Sequence, residues 1–245
     1  MRTKTLTAVC AALCGWAGVL VAQAMSTSSV AAPDQGTFRP SFTPAAMSAH
    51  VTNRYFPLPR NRRFEYAGVE DGHAVRQTVT ILPRTILVAG APSVAVRDTL
   101  FQNGRALEDT FDWYSQDASG NVWYMGEDAR TLNNGHVVSI EGSWRAGVNG
   151  AHAGIIMESR PRVGDSYREE YYPRVAQDMA RVISISARQS TPYGTFSGLV
   201  CTKEWSPIEP GAGAEQKCYA AGIGLVAERS LDGASTLLTL RSVVP

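Results

Sequence analysis

Residues 94–113 read VAVRDTLFQNGRALEDTFDW, and this stretch decides the fold. Asn103-Gly104 tolerates the two positive backbone angles that a two-residue hairpin turn requires. On either side apolar and polar residues alternate, with Val94, Val96 and Leu100 before the turn and Leu107, Phe111 and Trp113 after it. Period two is the mark of a half-buried strand, so the stretch predicts an antiparallel hairpin. A two-residue turn also sets the register. Leu100 then faces Leu107, Val96 faces Phe111 and Val94 faces Trp113, with Asp98 opposite Asp109 on the same side. Arg97 with Thr110 and Thr99 with Glu108 form a solvated side.

Working outward, the same punctuation recurs at Asp71-Gly72, in the 117–120 group and at Asn134-Gly135. Val75, Val79 and Ile81 alternate with Arg76, Thr78 and Thr80. Residues 181–189, 195–205, 215–220, 225–230 and 235–243 continue as short strand-like segments bounded by Gly or Pro, and only 173–180 reads as a short helix. About ten antiparallel strands with at most one short helix make an all-β meander, closed into a barrel or folded into a two-sheet sandwich. Composition agrees, since 13 prolines and 22 glycines suit short strands and turns better than long helices.

Arg2 and Lys4 precede an apolar run from Leu6 to Ala22 and the small-residue sequence Ala22-Gln23-Ala24, the layout of a secretory signal peptide cleaved after Ala24. A membrane anchor is the alternative, but the run is barely long enough to span a bilayer. A lipid anchor on Cys14 is disfavoured by Leu13, where a small residue is wanted. The expected organisation is a leader at 1–24, a flexible Ser/Ala/Thr/Pro-rich arm at 25–50 and a single β-rich domain at 51–245, with no transmembrane segment once the leader is removed. The expected location is secreted or periplasmic. The formal charge is +1, and loss of Arg2 and Lys4 leaves 21 basic against 22 acidic residues, which offers nucleic acid no basic field.

Cleavage would leave only Cys201 and Cys218, an even count in an oxidising compartment, and both lie on strand-like segments joined by a Pro/Gly connection. The spacing predicts a disulfide between them.

Extending the register arithmetic around Asn134-Gly135 places Leu132 against Val137, Arg130 against Ser139 and Asp128 against Glu141. A four-residue loop at 117–120 places Trp113 against Tyr124 and Asp109 against Asp128. Asp98, Asp109, Asp128 and Glu141 would then form one row across four strands, unless a bulge breaks it. Like charges directly opposite are destabilising, so such a row needs water, an arginine, a shared proton or a cation. A wet rim neutralised by Arg130 or Arg76 is the plainer reading. A divalent cation on these oxygens, or an acid/base pair, is the functional one.

The histidines, His50, His73, His136 and His152, fall in or beside turns without ligand spacing, and no nucleotide-binding, zinc-protease or serine-hydrolase motif is present. Phe111, Trp113, Trp123, Tyr124 and Trp144 are the candidates to line a ligand cavity, or else to fill a core. The Gly-rich stretch 141–157 is too long for a plain connection, and such loops are often functional.

Tyr55-Phe56-Pro57-Leu58 leading to Phe64-Glu65-Tyr66, Asp112-Trp113-Tyr114 through Gly120-Asn121-Val122-Trp123-Tyr124, Glu141-Gly142-Ser143-Trp144, and the 219–226 segment ending Gly-Ile-Gly-Leu-Val together resemble a group of exported bacterial β-rich proteins of unassigned function. The resemblance covers nearly the whole 51–245 domain. It departs at Phe64, where Trp is expected, and at Ala220-Ala221, where Tyr or Ala followed by Pro is expected. It implies secretion and antiparallel β architecture, and carries over no catalytic residue.

Three functions fit these residues. The first is a barrel-like protein that binds a small apolar ligand or an envelope component between aromatic walls, without a cofactor. The second is a carboxylate- or metal-dependent secreted enzyme using Asp98 and Asp109, with Asp128, opposite the Gly-rich loop. The third is a structural envelope protein with its aromatics packed solid. A cavity separates the first from the third.

Overall fold

The computed structural model describes residues 36–38, 43–70, 72–232 and 236–245. The 1–24 leader, Asp71 and Ser235 lie outside them. The 94–113 hairpin forms as β3 (Ala91–Gln102) and β4 (Arg105–Gln116). Asn103 at φ 52° and Gly104 at 76° are both left-handed, the turn geometry whose twist matches that of its strands. Asn134 and Gly135, at 50° and 81°, likewise join β6 (Thr131–Asn133) to β7 (His136–Ser139). Between β1 (Arg63–Glu70) and β2 (His73–Val88), Glu70 pairs with His73 across the expected two-residue turn.

The remaining strands are β5 (Val122–Asp128), β8 (Trp144–Arg145), β9 (His152–Met157), β10 (Ser166–Arg168), β11 (Glu170–Tyr171), β12 (Met179–Thr191), β13 (Gly194–Trp205), β14 (Ala214–Ala220), β15 (Gly224–Ser230) and β16 (Leu237–Val244). The sixteen strands among the described residues belong to one antiparallel sheet, more than the ten expected. Its path runs from β10 through β12 to β16, then through β1 to β5, β9 and β11. The two ends of this path, β10 and β11, are separated by the single residue Glu169. The 166–171 segment therefore pairs with β12 by one half and with β9 by the other, and the sheet becomes a nearly closed barrel.

At this seam β9 comes close enough that a Cβ on Gly154 would lie 2.3 Å from the Glu169 carbonyl oxygen and 2.4 Å from that of Arg168. Only glycine permits the approach. From outside the sheet, the Thr37 and Phe38 N–H groups donate to the Ser166 carbonyl at 2.6 and 2.9 Å, and the Phe38 ring meets Tyr167 edge-on at 6.0 Å. Met47 and Val51 are buried in the main core, and Ser48 bridges to Gln116. The described residues of the segment read as an arm are thus fastened to the barrel.

Three registers differ from expectation, and each contains a β-bulge. Gln102 faces Arg105 and Phe101 faces Ala106 as expected; then Leu107 is left over, so Thr99 faces Asp109 and Asp98 faces Thr110. An unpaired residue turns every later side chain to the other face. Asp98 and Asp109 accordingly point to opposite sides of the sheet, and Asp109 lies beside Arg97 instead of another carboxylate. Between β4 and β5 Gln116 faces Val122, so the connection holds five residues instead of four and Tyr114 stands opposite Tyr124; beyond that pair Met125 is left over, which sets Phe111 opposite Asp128. At β6–β7, Val138 is left over and Thr131 faces Ser139, so Asp128 and Glu141 do not face each other. The expected row of four carboxylates does not form.

Two further expectations are corrected. Residues 173–180 are a turn and the start of β12, because Arg174, the second residue of the segment, adopts φ 65° and interrupts a helical path before its first turn is complete. The 141–157 stretch contains β8 and β9, and its alternating Ile155 and Met157 are core residues.

The Cys201–Cys218 disulfide is present, joining directly opposite residues of β13 and β14. With a sequence separation of 17, chain entropy assigns it roughly 3 kcal/mol.

Candidate ligand-binding cavity

The inward faces of β1 to β5, β14 and β15 do not fill the barrel. They leave a cavity of about 100 Å³, several times the ~10–15 Å³ that one water needs. One wall is aromatic and aliphatic, with Phe56, Phe64, Tyr66, Tyr114, Tyr124 and Tyr219 its rings. Phe56 meets Tyr114 edge-on at 5.2 Å and Tyr219 at 6.1 Å, while Tyr114 stacks on Tyr124 at 5.1 Å.

Phe56 is presented by a side-chain clamp. The buried Asn53 carbonyl accepts the Tyr55 and Phe56 N–H groups at 2.8 and 3.1 Å, and its amide donates to the Gly120 and Glu158 carbonyls at 2.8 and 3.0 Å. The half-buried lining residues Phe56, Pro57, Leu58, Ile223 and Leu225 mark where the cavity meets solvent.

The other wall is charged. Asp98, Asp112, Glu169, Glu170 and Asp178 line it together with one cation, Lys217. Asp98 accepts a hydrogen bond from the Gln77 amide at 2.6 Å, and Asp112 accepts one from the Tyr124 hydroxyl at 2.7 Å. Lys217 is held by Glu204 at 2.5 Å. Glu170 is 1% exposed, and neither of its carboxylate oxygens has a hydrogen-bond partner; Oε1 of Glu169 has none either.

Burial raises both carboxyls well above the ordinary range, with Asp178 adding to the effect at Glu170 and Glu204 at Glu169. Burial and then Asp112 do the same to Asp98, against the pull of Gln77. Burial alone would depress Lys217, but Glu204 and Glu228 outweigh it and hold the ammonium charged.

The sequence candidates scatter. Asp98 and Tyr124 line the cavity. Trp144 packs edge-on against Tyr124 at 5.3 Å, and Trp123 is buried with its indole donating to Asp117 at 2.9 Å. Phe111 lies beneath the guanidinium groups of Arg84, Arg97 and Arg130 at 5.2, 5.6 and 5.5 Å, and Trp113 beneath Arg145 at 5.3 Å. Asp109 is bound by Arg97 at 2.7 Å, Asp128 by Arg130 at 2.5 Å, and Glu141 is exposed in its turn. Among the described residues no three His, Cys, Asp or Glu side chains converge closely enough to hold a metal ion, and no helix is long and apolar enough to cross a membrane.

Sequence reasoning missed Tyr66, Tyr114, Tyr219, Glu169, Glu170, Asp178 and Lys217. The available signal was the alternation of Glu215, Lys217 and Tyr219 along β14, which continues an inward face in polar residues.

No family model matches the chain, and no curated protein matches it. Among solved structures, a protein of Bacteroides fragilis described as exported, with a YmcC-like fold, aligns over 79% of this chain and 100% of its own length at 13% identity and a TM-score of 0.46.

Proposed function

We propose that this is an exported barrel protein that binds a small molecule with an apolar body, free or as part of an envelope component, inside the barrel. The observation that carries the reading is the cavity between Phe56, Tyr114 and Tyr219, left open beside the buried hydrophobic core of the barrel. A purely structural role would have favoured a filled interior. The leader layout and the disulfide support export. The enzyme reading built on Asp98 with Asp109 loses its pair, because the two lie on opposite faces of the sheet.

The test is titration with N-phenyl-1-naphthylamine, whose emission rises in an apolar site. The expected result is saturable binding at one site, lost when the half-buried lining residue Val79 is enlarged by Val79→Trp while the far-UV spectrum and the unfolding transition are retained. Absence of saturable binding, or equal binding by the folded variant, would overturn the reading.

A further inference from the structure

The cavity is not a uniform apolar box, and its charged wall is incomplete as it stands. Five carboxylates and one ammonium line it, and that ammonium is already engaged by Glu204. Asp98 and Asp112 have side-chain donors, Gln77 and Tyr124. Glu170 has none at either oxygen although it is 1% exposed, and Glu169 has none at Oε1. The Trp144 indole and the Asp178 backbone lean toward Glu170 without reaching hydrogen-bond geometry. Leaving a buried carboxylate unpartnered is strongly unfavourable, so a group from outside the chain that satisfies it gains more than the same contact would at the surface.

These two glutamates occupy the kink where β10 passes into β11. Consecutive strand residues normally point to opposite faces. Here the break between two short strands lets both adjacent side chains line the cavity. The closure of the barrel and the charged end of the cavity are therefore the same feature of the chain.

Resting on the reading of the cavity as a binding site, we infer that its occupant is an amphiphilic organic cation, an amine with an apolar body, whose ammonium group meets Glu169 and Glu170. A bare metal ion is the poorer fit, because no three ligating side chains among the described residues converge on a point. An ammonium attached to a hydrocarbon body needs no such convergence. It can meet one or two carboxylates on one side while Phe56, Tyr114 and Tyr219 offer ring faces and edges to the rest of the molecule. The raised values of Glu169 and Glu170 agree with this: without a cationic partner, burial favours their protonated forms.

The experiment is calorimetric titration of the purified protein at neutral pH with three probes of nearly one shape: benzylammonium, benzyl alcohol and benzoate. Benzylammonium is expected to bind about tenfold more tightly than benzyl alcohol, with no detectable binding of benzoate. Glu170→Gln should bring the ammonium-to-alcohol affinity ratio close to one, and Glu169→Gln should lower it by a smaller factor. If benzyl alcohol binds as tightly as benzylammonium, or more tightly, this inference is overturned while the cavity reading stands. If none of the three binds, the cavity reading falls with it. The comparison of probes on the unaltered protein decides the question even if a variant fails to fold.

Discussion

Arg97 and Asp98 are neighbours on β3, yet the barrel wall puts them in different electrostatic settings. Outside, Arg97 holds Asp109 at 2.7 Å with side-chain exposures of 50% and 14%, and Arg130 holds Asp128 at 2.5 Å with 39% and 37%. Each outer acid has its own guanidinium and water nearby, so neither partner depends strongly on the other. Inside, Asp98 shares a cavity wall with Asp112, Glu169, Glu170 and Asp178, and among the described residues the only cation on that wall is Lys217. The same residue types that decorate one face without consequence define a site on the other. The difference lies in desolvation more than in distance.

The largest effect should come from removing the interior cation. Lys217 and Glu204 form an ion pair with side-chain exposures of 9% and 7%, and breaking such a pair from one side leaves a buried charge uncompensated. Lys217→Met should destabilise by about 3–5 kcal/mol, read by urea unfolding at neutral pH. A loss below about 1 kcal/mol would place the interior in the same class as the surface.

Next comes pH. Burial, with Glu70 and Asp98 adding to it, raises Glu108 to about 8, and burial with Asp165 raises Glu158 to about 8. Glu169, Glu170 and Asp98 are raised as well. A carboxyl with a raised value in the folded state binds more protons there than in the unfolded chain. Its stabilising contribution is complete below the unfolded value of ~4.3 and is lost as pH rises through the folded value. The melting temperature should therefore fall between pH 5 and pH 8.5. A rise over that interval would contradict the assignment of these carboxyls to the interior.

A smaller effect tests the seam that separates the two settings. Gly154→Ala forces a methyl into the Arg168 and Glu169 carbonyls and should cost about 1–3 kcal/mol, with faster hydrogen exchange in 152–157 and 166–171. Protection unchanged there would mean that the seam does not depend on this approach. The smallest change is expected outside, where Arg97→Ala should cost less than about 1 kcal/mol, diminishing further in 1 M salt.

The hairpins at Asn103-Gly104 and Asn134-Gly135 were legible because Asn-Gly carries its own conformational requirement within two residues, and the pairs next to these two turns formed as expected. Register beyond the first few pairs was not legible. The bulges at Leu107, Met125 and Val138 answer to the curvature of the barrel and to which charges meet across the sheet, and neither is a local property. One of them exchanges Trp113 for Tyr114 on the inner face, so of the aromatic candidates Tyr124 lines the cavity while Trp113 gives its place to Tyr114. The charged wall was hidden for a different reason. Glu215, Lys217 and Tyr219 alternate on β14 just as a solvated face would, and a polar interior inverts the pattern by which inside is told from outside. Glu169-Glu170 looks equally ordinary until the two ends of the sheet are seen to meet there.

The most direct test is a crystal structure of the protein grown with benzylammonium. The expected result is a single molecule within the barrel, its ring among Phe56, Tyr114 and Tyr219 and its nitrogen about 3 Å from a carboxylate oxygen of Glu169 or Glu170. An interior without the probe, with Lys217 swung onto Glu170 to complete the wall from within the chain, would contradict the claim that the charged wall awaits a cation from outside.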